Sequence, residues 1–559
     1  VVQHQVDSTL VKIPGIMKVV EEEQQVVVME GPWSPVDVIR DIVDEGSQED
    51  PFYVMDLGEV VARFREWKEL MPRVEPFYGK LFFYTVIYGR PYRSSCAILA
   101  LKKGYVPRVQ PFCVEFSVIS VWGPASIHLI RSCLVLNLPH NEVRQHDDEQ
   151  NKNLLSHIFP NNECNDDKLM VSTLAALGAG FDCASKAEIQ LVTSLGVGPD
   201  RIIFANPAKP ASHIRWASAA GVTTMTFDSE TELMKIKQYM PHAQLVVRIR
   251  CDATSAQCPL GIKFGCDPVA EAPRLLKIAA VIGLNVVGVS FHVGSGAQET
   301  GVYARAIQYA RALFDTGDAA GHTMYLLDIG GGFPGNSGTS IREVSQVINA
   351  ALEVQFPSRS VRVIAEPGRY FAAAAYTLAA MVHATRQLPA REGESAEEAH
   401  TMYFINDGVY GSFNCVLYDH QQVHAVPLEE SSERAQQCSI WGPSCDGLDC
   451  VLPAYSLPPQ RTGNWLVFKD MGAYTIPVAS PFNGFPTPKV RAVLDKHLWT
   501  MLEDLWPLTG AHFSFGRVPQ TPPPSPDPDS DGASTSPPSP LSPASPAPHH
   551  AVFVECALK

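Results

Sequence analysis

A chain of 559 residues exceeds one typical domain, and 45% hydrophobic with 18% charged residues is the composition of a globular protein. The net charge of −15 argues against nucleic-acid binding and against docking on anionic membranes, both of which call for a basic surface. Thirteen cysteines without a CxxC pair or Cys/His ligand spacing give no zinc site. Their odd number, with no signal-like start, predicts a reducing, cytoplasmic compartment. No apolar run is long enough to span a bilayer; the nearest, FSVISVWGPASIHLI (116–130), is short and holds Pro124 and His128.

In chain order, VVVM (26–29) predicts a short strand and SPVDVIRDIVDE (34–45) a helix, with Ser34 as N-cap and Pro35 in its first position. FYVMDLGEVVARFREWKELMP (52–72) reads as strand, turn and amphipathic helix, since Val60, Phe64 and Trp67 recur at helical spacing. Pro72 and Pro76 punctuate, and Phe77 and Tyr78 open a buried strand. From 79 to 163 the chain keeps neither a helical nor an alternating period.

From 164 to about 371, strands and helices alternate. The strands are DRIIFANP (200–207), GVTTMTFDS (221–229), AQLVVRIR (243–250), GLNVVGVSFHVGSG (283–296), MYLLDIGGG (324–332) and VRVIAEPGRY (361–370); segments such as TGVYARAIQYARALFDTG (300–317) suit helices. So many βα units in series predict a parallel (β/α) barrel rather than an open sheet. From 372 to about 510, runs such as TMYFIND and GNWLVFKDMGAYTIPVAS predict an antiparallel β domain. Residues 518–550 are Pro/Ser/Asp-rich and bury too little apolar surface to offset ordering entropy, so the end of the chain is expected to be disordered.

In such barrels the sites lie at the C-terminal ends of the strands. Three strands end in SFHVGSG (290–296), LLDIGGGFPG (326–335) and IAEPGRY (364–370). Glycine clusters let backbone N–H groups approach an anion, Ser295 adds a hydroxyl, and Arg369 offers a fork for phosphate. Glu366 is a carboxylate suited to a pyridine nitrogen and His292 an imidazole suited to stacking on a flat ring, the protein groups that pyridoxal phosphate chemistry uses.

The runs FDCASKAEIQLV (181–192), ANPAK (205–209), FHVGSG, YLLDIGGGFPG, AEPGRY, NDGVYGSFNCVLYDH (406–420), WGPSCDGLD (441–449) and MGAYT (471–475) resemble eukaryotic ornithine decarboxylase and its relatives in the group IV pyridoxal-phosphate decarboxylases, over about 28–78 and 164–490. Antizyme inhibitor is the close non-catalytic relative. The resemblance implies a (β/α)8 TIM-like barrel plus a C-terminal antiparallel β domain of the alanine-racemase-like kind. The domains are then 1–57, contributing to the β domain; 58–78 and 164–371, the cofactor-binding barrel; 79–163, an anomalous insertion; 372–510, the β domain; and 518–559, a disordered tail.

It further implies decarboxylation of L-ornithine to putrescine with pyridoxal 5′-phosphate. Ser295, Gly330, Gly331, Gly332, Arg369 and Tyr474 would bind the phosphate, His292 would stack on the ring, Glu366 would pair with its nitrogen, and Asp182 would support its reactive side. Tyr418 and Asp419 would lie along the substrate, with Phe482 lining the pocket. Asp446 would reach across a homodimer interface to the distal ammonium, and Cys445 would protonate the substrate carbon after CO₂ departs. Lys263 and Asp449 match a pair that bridges subunits. The segment 205–230, with Lys209 and Arg215, matches the antizyme-binding region, and the tail resembles those that mark rapidly degraded members. CDGLD favours ornithine over diaminopimelate or bacterial-type arginine enzymes. Antizyme inhibitors tend to lose cofactor and substrate residues, whereas Asp182, Tyr418, Asp419, Cys445 and Asp446 remain here.

The family's cofactor lysine stands in a run reading PFYAVKCND. This chain has PFY at 76–78 and CNDD at 164–167, with residues 79–163 where Ala-Val-Lys is expected. Lys80 lies two residues after Tyr78 rather than three, which in a strand turns it to the opposite face, and Lys168 corresponds to another family lysine beyond the strand. Loops tolerate insertions and buried strands do not, so 79–163 reads as a foreign segment, most simply a translated intron.

Overall fold

The computed structural model describes residues 26–79, 164–251, 253, 261–295, 299–389, 400–498 and 513–514, all within the compact unit Val1–Gly516. The expectations for 80–163, with Lys80, and for the tail 518–559 lie outside the described residues.

Strand β1 (Val26–Met29) leads to the helix Pro35–Asp44. Ser34 caps that helix in a closed box. Its Oγ accepts from the Asp37 N–H (3.3 Å) while the Asp37 carboxylate accepts from the Ser34 N–H (3.1 Å). Strand β2 (Phe52–Asp56) runs into the helix Leu57–Leu70, capped by Asp56, which accepts from the Gly58 and Glu59 N–H groups. Val60, Phe64 and Trp67 fall on the buried face, as their spacing predicts.

Eight strands then close the barrel. They are β3 (Val74–Tyr78), β4 (Gly180–Cys183), β5 (Ile202–Phe204), β6 (Thr224–Phe227), β7 (Gln244–Arg250), β8 (Asn285–His292), β9 (Leu326–Asp328) and β10 (Arg362–Ala365), in that order around the ring, with β10 returning to β3. Every neighbouring pair is parallel. One cluster fills the lumen: Phe77, Ile203, Ala205, Val246, Val287, Leu326 and Ile364. The inward ring of Phe77 needs room. A Cβ on Gly180 would lie 2.5 Å from it, so glycine at that position is a packing requirement.

The second layer is a ten-stranded sheet. Its order is β15 (Cys450–Leu457), β14 (Gln436–Trp441), β12 (His400–Ile405), β11 (Tyr376–Leu388), β2, β17 (Lys489–Asp495), β1 and β18 (Phe513–Ser514), with β16 (Trp465–Phe468) and β13 (Ala425–Pro427) off this path. The sheet is mixed. β11 pairs antiparallel with β2, β12 and β16, as does β14 with β15, whereas β17 lies parallel to β1 and β2, and β12 to β14. Parallel pairs require long crossovers, and β1 and β2 meet β17 only after the chain has traversed the barrel.

The two layers are joined where the barrel ends. The Cys164 carbonyl accepts from the Tyr474 N–H (2.8 Å) and the Asn165 side chain donates to the Gly472 carbonyl (2.8 Å), so the 470–475 loop of the sheet domain is fastened to the segment that follows the first barrel strand.

Candidate active site

The strand ends carry chemistry on one rim. β4 holds Asp182, β8 ends on His292, β9 on Asp328 followed by Gly330–Gly332, and β10 runs into Glu366. These side chains are buried. Glu366 and Asp328 face each other. Burial, then the charges of Asp328 and Asp182, push the Glu366 carboxyl well above its ordinary range. Burial raises Asp328 to about 6, against hydrogen bonds from Glu366 and the Gly330 N–H. Two buried carboxyls that interact in this way do not both ionise readily, so the pair retains a proton. Arg248 on β7 supplies a nearby positive charge. A base that carries a proton, placed against Glu366, would let that carboxylate ionise, and a protonated pyridine nitrogen is such a base.

Burial, then the Arg248 charge, drives the His292 pKa well below its ordinary value, so the imidazole is neutral. Its Nδ1 accepts from the Gly294 N–H (3.0 Å), which leaves the ring proton on Nε2. Nε2 is buried with no hydrogen-bond partner among the described residues. It borders the glycine cradle: a Cβ on Gly331 would lie 2.7 Å from His292 Nε2 and 2.7 Å from the Glu366 carbonyl. Gly330 has φ +63° and Gly332 φ +105°, a backbone that only glycine adopts readily. The side-chain-free glycine backbone, the orphaned Nε2 and the interacting carboxyls fit a flat, basic ring.

Beside the cradle lies a cluster suited to an anion. The Arg369 Nη2 donates to Ser295 Oγ (3.0 Å) and to Asp419 Oδ1 (2.7 Å), and its guanidinium lies 4.8 Å from the Tyr474 ring centroid. Burial opposes the Arg369 charge, but Asp419 and Tyr474 more than offset it and hold its pKa above the ordinary value. Asp419, fully buried, has its own pKa raised by burial against the pull of Arg369. Cys164 packs into the same cluster, its thiol pushed by burial to about 12.

Cys445, Asp446, Phe482 and Tyr418 form a second group on the sheet domain. Asp446 accepts a hydrogen bond from the Tyr410 hydroxyl, the Cys445 N–H donates to Asn483 (3.2 Å), and Phe482 packs on Tyr410 at 4.2 Å between centroids. Cys445, Phe482 and Tyr418 are exposed. The chain therefore buries Asp182, His292, Glu366 and Arg369 and leaves Cys445, Phe482 and Tyr418 at its surface. The helix Asn414–Tyr418 spans the two: Asp419, which caps it, turns in to Arg369.

Lys263 lies over the Phe264 ring (4.6 Å), and Asp449 accepts from the Val409 (2.8 Å) and Ser444 (3.0 Å) N–H groups of its own chain. Lys209 is not part of a basic surface. It is buried, 3.0 Å from Glu232, with burial lowering its pKa to about 8. It is the one buried lysine among the described residues.

The first barrel strand reaches the site directly. Phe77 points inward, and two residues on a Cβ at Gly79 would lie 2.7 Å from Glu366 Cβ and 3.2 Å from Asp182 Oδ2. A Cβ placed on Gly368 would lie 2.3 Å from the Gly79 carbonyl and 3.2 Å from Cys164 Cβ, so the two ends of the intervening segment adjoin. Sequence reasoning missed Asp328, Arg248, Cys164 and Tyr410. The one available signal was Asp328, an acid closing an apolar strand just before GGG.

The model of the family "pyridoxal-dependent decarboxylase, pyridoxal binding domain" matches residues 142–373. Ornithine decarboxylase of Rattus norvegicus is 48% identical over 353 residues, which cover 61% of this chain and 76% of that protein. Antizyme inhibitor 2 of Xenopus laevis is 45% identical over 351 residues, again 61% of this chain and 76% of the relative. Among solved structures, the arginine decarboxylase of Paramecium bursaria Chlorella virus bound to agmatine superposes with TM-score 0.64 at 29% identity, over 82% of this chain and all of that one.

Proposed function

We infer the function from one premise: the chain belongs to the pyridoxal-dependent decarboxylase family that holds the eukaryotic ornithine decarboxylases and antizyme inhibitors. On that footing the reading is a carboxy-lyase that takes L-ornithine to putrescine, as a cytoplasmic homodimer with shared active sites. The observation that carries it is the convergence of Asp182, His292, Glu366 and Arg369 on a glycine cradle at the barrel end. Among the described residues no cluster of potential metal ligands occurs, and no helix is long and apolar enough to cross a membrane.

Pyridoxal phosphate, when bound, supplies an electron sink for the bond to the departing carboxylate. The protein's own groups do the rest. Glu366 would pair with the ring nitrogen and favour its protonated form. Arg369, Ser295, Tyr474 and the Gly330–Gly332 N–H groups would hold the phosphate, and neutral His292 would cover the ring face. In the dimer, Asp446 of one subunit reads the distal ammonium in the other's pocket. Enclosed by the second subunit, that carboxylate would discriminate against a substrate that leaves it unpaired. Cys445 from the same segment delivers a proton to the substrate carbon. Cys445 is exposed and Asp446 only half-buried on a single chain, which supports a role completed by a second subunit.

A second reading has its own observation. Gly79 reaches the carboxylates with no side chain, and the one buried described lysine, Lys209, is tied to Glu232. A chain without a lysine to hold the cofactor aldehyde would be a silent, antizyme-binding protein like the antizyme inhibitors. The adjoining ends at Gly79 and Cys164 support the view that residues 79–163 stand in place of a three-residue connection. Release of CO₂ from carboxyl-labelled ornithine, with pyridoxal phosphate supplied, separates the two readings: release supports the enzyme, and its absence with antizyme bound supports the silent protein. Sequencing the mature transcript across this junction tests the segment; a message encoding 79–163 refutes the translated-intron reading.

A further inference from the structure

We propose that Arg369 couples the two halves of the site, so that filling the phosphate subsite strengthens binding of an amine at Asp419. The proposal rests on the reading of Arg369 and Ser295 as the phosphate subsite and of Asp419 as a substrate-side acid. One guanidinium nitrogen, Nη2, serves both: it donates to Ser295 Oγ at 3.0 Å and to Asp419 Oδ1 at 2.7 Å. Asp419 is fully buried and Arg369 nearly so, which leaves little water to screen the pair. The Tyr474 ring lies against the guanidinium and restricts its movement.

In this arrangement the positive charge of Arg369 is spent on Asp419. An ammonium approaching Asp419 meets an acid already neutralised and a like charge beside it. A phosphate at Ser295 draws on the same guanidinium and adds negative charge to the cluster. Asp419 is then available to the ammonium, and the repulsion from Arg369 is offset. Asp419 sits at the end of the short helix whose last residue, Tyr418, is exposed, so an amine reaching it arrives from the side on which the second subunit is read to contribute. The order follows from the charges: the phosphate-bearing group first, the amine second. Binding couplings of this kind run from about fivefold to about 150-fold, and a single shared guanidinium places this one near tenfold.

The test uses the full chain and two unreactive probes: 4-deoxypyridoxine 5′-phosphate, which has the ring and phosphate but no aldehyde, and 1,4-diaminobutane. Isothermal titration of the diamine is run with and without saturating ring phosphate. The expected result is a diamine affinity about tenfold higher with the ring phosphate present, and a ring-phosphate affinity raised by the same factor when the diamine is present. In Asp419→Asn the ring phosphate still binds and the coupling disappears. Ring phosphate that binds while the diamine affinity is unchanged, or undetectable in both states, overturns the coupling and leaves the cofactor site standing. Failure of the ring phosphate to bind overturns the reading of the site and the proposal together. Full coupling in Asp419→Asn also overturns it, because the coupling would then run through another group.

Discussion

Asp328→Asn tests the electrostatics of the barrel end without touching its shape. Asp328 Oδ1 accepts from the Gly330 N–H at 2.9 Å, a bond that the Asn carbonyl retains, while the new amide faces Glu366. Burial raises the Asp328 pKa from 3.8 to about 6. A carboxyl raised in this way gives stability that is whole below its unfolded value and is lost as pH climbs through about 6. The raised pKa corresponds to an effect on the order of 1–3 kcal/mol. The variant should therefore approach its parent as pH falls below 4 and exceed it by about 1–3 kcal/mol above pH 7. Urea unfolding of both chains, without cofactor, at pH 4.5 and 7.5 measures the two offsets. Equal offsets at the two pH values would refute the shared-proton description of Glu366 and Asp328.

Two other predictions probe separate parts of the molecule. Gly331→Ala places a methyl 2.7 Å from both the Glu366 carbonyl and His292 Nε2, which at about 1–3 kcal/mol of overpacking lowers pyridoxal phosphate affinity roughly 10–100-fold; fluorescence titration reads the loss and circular dichroism checks the fold. Lys209→Ala removes the ammonium from buried Glu232, leaving it the N–H of residue 209 (3.2 Å) and the partly exposed Lys235, and should cost about 3 kcal/mol of stability, measured by denaturant unfolding; a loss near zero would contradict the buried pair.

The barrel was legible because its strands are apolar runs bounded by turn residues, and because Ser34–Pro35 and the spacing of Val60, Phe64 and Trp67 are local signals that tertiary contacts did not override. The parallel pairs of the sheet domain were not, since β1 and β2 meet β17 across more than 400 residues and no local pattern encodes such a register. The same holds within the site. Gly330–Gly332, His292, Glu366 and Arg369 announce themselves by type at strand ends. Pairings such as Arg369 with Asp419, or Glu366 with Asp328, depend on three-dimensional proximity. Lys209 shows the converse: a lysine in a segment read as a basic surface is buried, because Glu232 on the neighbouring helix satisfies it.

On the proposed reading this barrel end holds the cofactor's ring and phosphate, and residues 79–163 stand where its lysine is expected. The direct measurement replaces residues 79–163 with Ala-Val-Lys, incubates both chains with pyridoxal phosphate, reduces with borohydride and maps the labelled peptide by mass spectrometry. The account predicts a label on the restored lysine, together with CO₂ release from ornithine, and no labelled lysine in the chain as it stands. A site-specific label in the unaltered chain, or none in the restored one, would contradict it.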